Sequence, residues 1–180
     1  MLPPWVDEWL QGQETLCPDP EARMRLVVEL SRQNVERQGG GPFAAAIFDC
    51  ESHRLVAPGL NLVTASGCSV AHAEIVAIAL AQKIVGSYTL GRPGHAGYEL
   101  VSSTAPCAMC LGAIPWSGVR SLVCGAREED AEAVGFDEGD KVANWKERLE
   151  RRGISVVADV CRAEAAAVIQ DYAAKGGLIY

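Results

Sequence analysis

Apolar positions recur at helical spacing through residues 21–38, where Met24, Val27, Val28, Leu30 and Val35 supply one face. Asp19-Pro20 sets an N-cap and a first-turn proline ahead of that run, and Gly39-Gly40-Gly41 ends it. Residues 43–49 (FAAAIFD) and 53–58 (HRLVAP) predict two strands joined by a tight turn, with a short strand continuing through 60–63. The next helix opens at His72 and carries Ile75, Val76, Ile78, Leu80, Ala81 and Ile84. It is apolar on most sides, the pattern of a helix buried against a sheet. A strand over 98–104, a short helix over 107–118 and a strand over 119–125 follow. Helical stretches over 127–134 and 141–152 lead to a strand over 154–160 and a final helix over 161–175. Gly176-Gly177 releases the chain from that helix into Leu178, Ile179 and Tyr180. Pro3, Pro4, Pro18 and Pro20 punctuate residues 1–19, an N-terminal extension expected to be irregular or laid on the surface.

This alternation predicts an α/β domain over 20–180, three layers deep (α/β/α), around a five-stranded mixed sheet. The helical residues between the last two strands imply a crossover, and so a parallel pair there. At 180 residues the chain is large enough to bury one core of its own.

Charge and cysteine usage narrow the chemistry. The net charge is −7, and the one dense basic run, 146–152, is interrupted by Glu147 and Glu150. That reads as a solvated helix face, not a phosphate-binding footprint, and it favours a small neutral substrate over a nucleic acid. The N-terminus is acidic and carries no secretory h-region, and no apolar run is long enough for a membrane span, so a cytoplasmic protein is expected. Seven cysteines, an odd number, then read as reduced thiols; Cys124, in SLVCG, belongs to a buried strand.

Two segments carry the chemistry: His72-Ala73-Glu74 and Pro106-Cys107-Ala108-Met109-Cys110. His72, Cys107 and Cys110 make a three-ligand set for Zn²⁺ that leaves the fourth position to water. Cys107 and Cys110, three apart, fall on one side of their helix, whose N-terminus favours thiolates. Glu74 is the proton carrier. H-x-E followed by P-C-x-x-C is the signature of zinc-dependent nucleobase deaminases. A closed structural zinc site would need a fourth ligand from Cys68, His53, His95 or Cys124, and it would leave Glu74 unexplained. His53 and His95 are expected to be exposed and idle.

Beyond the metal motif, GGGPFAAAIFD, NLV ahead of HAEIVAI, TAPCAMCLGAIPWSGV and AVGFDEGD together resemble the bacterial guanine deaminases of the cytidine-deaminase superfamily, including members that also accept ammeline. The resemblance runs from about Pro20 to the C-terminus. It implies a cytidine-deaminase-like fold and hydrolysis of guanine to xanthine and ammonia. It also implies that Phe43 stacks on the base, that Asn61 bonds its edge, and that Ala73 and Trp116 line the pocket. Glu138, or its neighbour Asp137, would be a second proton carrier. Residues 176–180 would form a lid bearing Tyr180, in some members exchanged between the subunits of a homodimer. Read by position alone, Phe43 could equally be core, Asn61 a turn residue, Trp116 a helix anchor, Glu138 part of a solvated acidic loop and the tail a frayed end. Guanosine, cytosine and tRNA adenosine remain alternative substrates, and a non-catalytic zinc-stabilised scaffold is the alternative of another class.

Overall fold

The computed structural model describes residues 2–180. Helix α1 (Trp5–Gln11) forms within the stretch expected to be irregular. Its Val6 is fully buried in the main core, and the Arg37 guanidinium lies 5.0 Å over the Trp5 ring. Tertiary packing overrides the weak local signal of so short a helix. Helix α2 (Pro20–Glu36) starts where the sequence predicts, with the Asp19 carboxylate accepting from the Glu21 and Ala22 amides at 3.3 and 3.2 Å.

Strands β1 (Ala44–Asp49) and β2 (Leu55–Leu60) form the expected antiparallel hairpin. The strand expected at 60–63 is absent: β2 ends at Leu60 and a single helical turn, α3 (Val63–Ser66), follows. Asn61 makes that switch, its side-chain oxygen accepting the Val63 amide at 3.3 Å. Helix α4 (Ala73–Val85), strand β3 (Tyr98–Thr104), helix α5 (Ala108–Ser117) and strand β4 (Ser121–Ala126) come next. Helices α6 (Glu128–Glu132) and α7 (Trp145–Glu150) are shorter than the stretches predicted for them. Strand β5 spans only Ser155–Val157, because Asp159 takes a left-handed backbone (φ 65°) and pairs with Arg127 at 2.6 Å, which interrupts the pairing with β4 until the Val160 amide meets the Cys124 carbonyl at 3.1 Å. Helix α8 (Arg162–Ala174) closes the order.

The sheet runs β2-β1-β3-β4-β5, with β1 antiparallel to both neighbours and β3, β4 and β5 parallel. Alternate residues of each strand serve opposite faces. Ala44, Ala46, Phe48, Val101 and Val123 meet α1, α2 and α8, while Ala45, Ile47, Leu100, Leu122 and Cys124 meet α4, α5 and α7. Both faces are covered, so β1 is apolar from Ala44 to Phe48 instead of alternating. This is the three-layer α/β/α fold with a five-stranded mixed sheet.

Two close approaches set the framework for a site beyond the end of β3. A Cβ on Gly59 would strike the backbone of α4 at Ala73 and Ala77, so glycine lets α4 lie directly on β2. Gly40, at φ 154°, packs equally tightly against the Asn61 carbonyl. Among the described residues, no helix is long and apolar enough to cross a membrane.

Candidate active site

His72 and Cys107 are the N-cap residues of α4 and α5, and neither side chain is used for capping. Both are therefore free to face the gap beyond β3, where two helix N-termini converge. The ligand atoms of His72, Cys107 and Cys110 all lie within 4.8 Å of one another, and Cys107 Sγ is 3.5 Å from His72 Nδ1. The hydrogen bond from Cys110, ahead of that to His72, holds the Cys107 thiol down to about 4, and the same bond, with burial, pushes the Cys110 thiol up. Two soft sulfurs and an imidazole already gathered within one metal's reach fit Zn²⁺, with one tetrahedral position left over.

Glu74 follows in the first turn of α4, with only 7% of its surface exposed. Ser102 donates to its Oε1 at 3.3 Å and the Cys110 thiol to its Oε2 at 3.4 Å. Burial raises its pKa. Glu138 comes from the loop after α6 and is also 7% exposed. Its loop is pinned to the start of α5 by the Ala108 amide, which donates to the Glu138 carbonyl at 2.9 Å. Desolvation pushes the Glu138 carboxyl up to about 7, against the pull of Lys141.

These groups open into one cavity of about 190 Å³, lined among others by Phe43, Asn61, His72, Glu74, Phe136, Glu138 and Tyr180. It is small beside the roughly 300–1,000 Å³ typical of pockets for drug-sized ligands. Phe43 and Phe136 meet edge to face at 4.8 Å, and Phe136 meets Tyr180 in the same manner at 5.8 Å. The tail folds back over its own chain: Tyr172 donates to the Leu178 carbonyl at 3.0 Å and Tyr180 to Asn61 Oδ1 at 2.6 Å.

Of the residues singled out in the sequence, His72, Cys107, Cys110, Glu74, Glu138, Phe43, Asn61 and Tyr180 are thus brought together. Two are not. Trp116 stands 86% exposed, outside the cavity, because it lies about two and a half turns beyond Cys107 and so points to the opposite side of α5. Ala73, fully buried, belongs to the core on the α4 side of the sheet and does not line the cavity. His95, expected to be idle, bonds Asp49 at 3.0 Å and stacks on Tyr98, away from the cavity. Phe136 and Thr104 also line the cavity, although the sequence reading does not single them out. Phe136 lies within AVGFDEGD and Thr104 opens TAPCAMC, and membership of those blocks is the signal that the sequence offers for them.

The model of the cytidine and deoxycytidylate deaminase zinc-binding region matches residues 18–126. The chain belongs to this deaminase family. The matched region is a zinc-binding one, and the cluster of His72, Cys107 and Cys110 that lies within it could hold the ion. Among curated members, the guanine deaminase of Bacillus subtilis is 37% identical over 118 residues, 66% of this chain and 71% of its own. A tRNA-specific adenosine deaminase of Haemophilus influenzae is 32% identical over 115 residues, 64% and 62% of the two chains. Among solved deaminase structures, the guanine deaminase from Nitrosomonas europaea superposes with a TM-score of 0.91 at 46% identity, over 97% of this chain and 94% of that one. A complex with 2,6-diaminopurine superposes at 0.92 with 47% identity, over 100% of this chain and 94% of that one.

Proposed function

We propose that this deaminase hydrolyses guanine to xanthine and ammonia. The observation that carries the reading is the near-full-length likeness to the Nitrosomonas guanine deaminase, combined with a cavity that presents two buried carboxylates to one small ligand. Solved complexes with 8-azaguanine include variants at an asparagine and at a glutamate that stand as far apart in their chain as Asn61 and Glu138 stand here. The small cavity and the net charge of −7 weigh against tRNA as substrate.

His72, Cys107 and Cys110 would hold the zinc, which when bound lowers the pKa of a water and supplies a nucleophile near neutral pH. Phe43 and Phe136 would confine the plane of the base. The Asn61 side-chain oxygen is occupied by Tyr180 and by the Val63 amide, which leaves its NH₂ to donate to the base edge. Glu74, oriented by Ser102 and raised by burial, would take the proton from the attacking water and pass it to a ring nitrogen. Glu138 would bring the proton that the departing amine needs, and its carboxyl near 7 suits both giving and regaining one. Ammonia leaves and a carbonyl stands in its place.

Ammonia release by the zinc-loaded protein is the test, with guanine, guanosine, ammeline, cytosine and adenine assayed in parallel. Glu74→Ala should keep fold and zinc and lose about 10²–10⁴-fold in kcat on guanine. Turnover of another amine with silence on guanine would discard the substrate while keeping the chemistry.

We also propose a homodimer. Helix α5 is apolar all round, yet Trp116 is 86% exposed and Met109 37% exposed. A helix of that kind is normally covered on every side. Sedimentation equilibrium should return twice the chain mass, and Trp116→Glu should shift the protein toward monomer.

A further inference from the structure

Lys141 is out of place for a lysine: only 3% of its side chain is exposed, at the junction of three segments that frame the cavity. Its ammonium donates to the Pro106 carbonyl at 3.0 Å, one residue before the metal ligand Cys107. It pairs with Glu128 of α6 at 2.9 Å, and it stands 3.6 Å from Glu138 Oε2. That last distance is too long for a hydrogen bond. Glu138 Oε2 is buried and has no hydrogen-bond partner among the described residues. The cation therefore spends its protons on Pro106 and Glu128, and acts on Glu138 through its field alone.

We propose that Lys141 is a positioning residue for the deamination, holding the Glu138 loop against the Pro106–Cys107 loop and supplying a fixed positive charge beside a carboxylate whose buried oxygen no donor occupies. It rests on the guanine reading above. A hydrogen-bonded lysine would occupy that oxygen, whereas no cation at all would raise the buried carboxyl further and leave it poor at giving up its proton. A charge held close, with its donors engaged elsewhere, avoids both outcomes. The other groups facing Glu138 are mostly anionic: Cys107 from α5, Glu74 from α4 and Glu128 from α6. His72 from α4 and the Tyr180 hydroxyl of the tail complete the surround. Lys141 is thus the one ammonium among them. Nothing in its local sequence marks it, since Asp140-Lys141-Val142 reads as surface.

The experiment is the pH profile of kcat and KM on guanine for zinc-loaded wild type, Lys141→Met, Lys141→Arg and Glu128→Gln. In Lys141→Met the limb due to Glu138 should move up by about one pH unit. Its kcat at neutral pH should fall by about tenfold or more, while KM changes little; Lys141→Arg should restore much of both. Glu128→Gln keeps the lysine but removes its competing anionic partner, leaving its charge more fully to Glu138, so its limb should move down, which keeps the test open if Lys141→Met does not fold. A folded Lys141→Met with an unmoved limb, a loss confined to KM, or an unmoved limb in Glu128→Gln would overturn the role of Lys141. Wild-type protein inert toward guanine would instead overturn the substrate reading, and the role of Lys141 with it.

Discussion

At the scale of single residues, the cavity concentrates groups that folding alone would not favour. Glu138 is buried with one oxygen unbonded, and its carboxyl lies near 7 where the ordinary value is 4.5. Between those values the folded, zinc-free protein holds a proton that the unfolded chain has released. Stability from this group therefore falls as pH rises across that window, and the full penalty stands above it. At about 1.4 kcal/mol per unit, the ceiling is about 3 kcal/mol. Glu138→Gln should raise the denaturation midpoint of the zinc-free protein more at about pH 8.5 than at about pH 4, the two sides of that window. An equal shift at both would mean that Glu138 titrates normally in the fold. The residue motif was legible because zinc chemistry constrains residue type and spacing together. Trp116 was not, since proximity in sequence to Cys110 says nothing of direction until helix phase is applied. Lys141 was not either: burial of a lysine is a tertiary fact that three separate segments create.

At the scale of elements, the site is a junction of two helix starts and one strand end. His72 and Glu74 are placed by α4, and α4 is placed by its contact with β2 at Gly59. Gly59→Ala would drive a methyl into backbone that cannot rotate away, a cost of about 1–3 kcal/mol or more by overpacking. It should also lift His72 from Cys107. The expected result is a lower melting temperature together with weaker zinc affinity, measured by competition with a chelating dye. Lower stability with zinc affinity intact would show that α4 shifts without turning its N-terminus. The sheet, α2, α4 and α5 were readable because burial on both faces and capping chemistry write themselves into local sequence. Helix α1 and the single turn α3 were not: Val6 and Asn61 fix them through partners distant in the chain. Strand β5 was overextended because its apolar run outlasts its pairing, which an ion pair cuts short at Asp159.

At the scale of the molecule, the two ends of the chain are treated differently by the core. The N-terminal segment contributes Val6 to it, whereas the tail touches mainly the cavity. From α8 onward the chain turns at Gly176, lies on Tyr172 at Gly177 and sets Tyr180 against Phe136 and Asn61. Its main-chain tie to the 136–140 loop is long, the Asp137 amide reaching the Tyr180 carbonyl at 3.4 Å. A segment so lightly held can open locally at little cost. Tyr180 lines one side of the cavity, and a tail held there would limit the entry of water, which strengthens charge interactions inside. We therefore expect removal of Leu178–Tyr180 to leave the melting temperature within a few degrees of the full chain, as for loss of about 1 kcal/mol. The same truncation should lower kcat/KM on guanine by about tenfold or more, through water entry and loss of the Asn61 contact. Tyr180→Phe separates the two causes, because it keeps the ring on Phe136 and gives up only the hydroxyl. If the truncated chain loses activity and Tyr180→Phe does not, the tail acts as a cover. If both lose it alike, the tail acts by holding Asn61 in place, and unchanged activity in both would assign it no part in turnover.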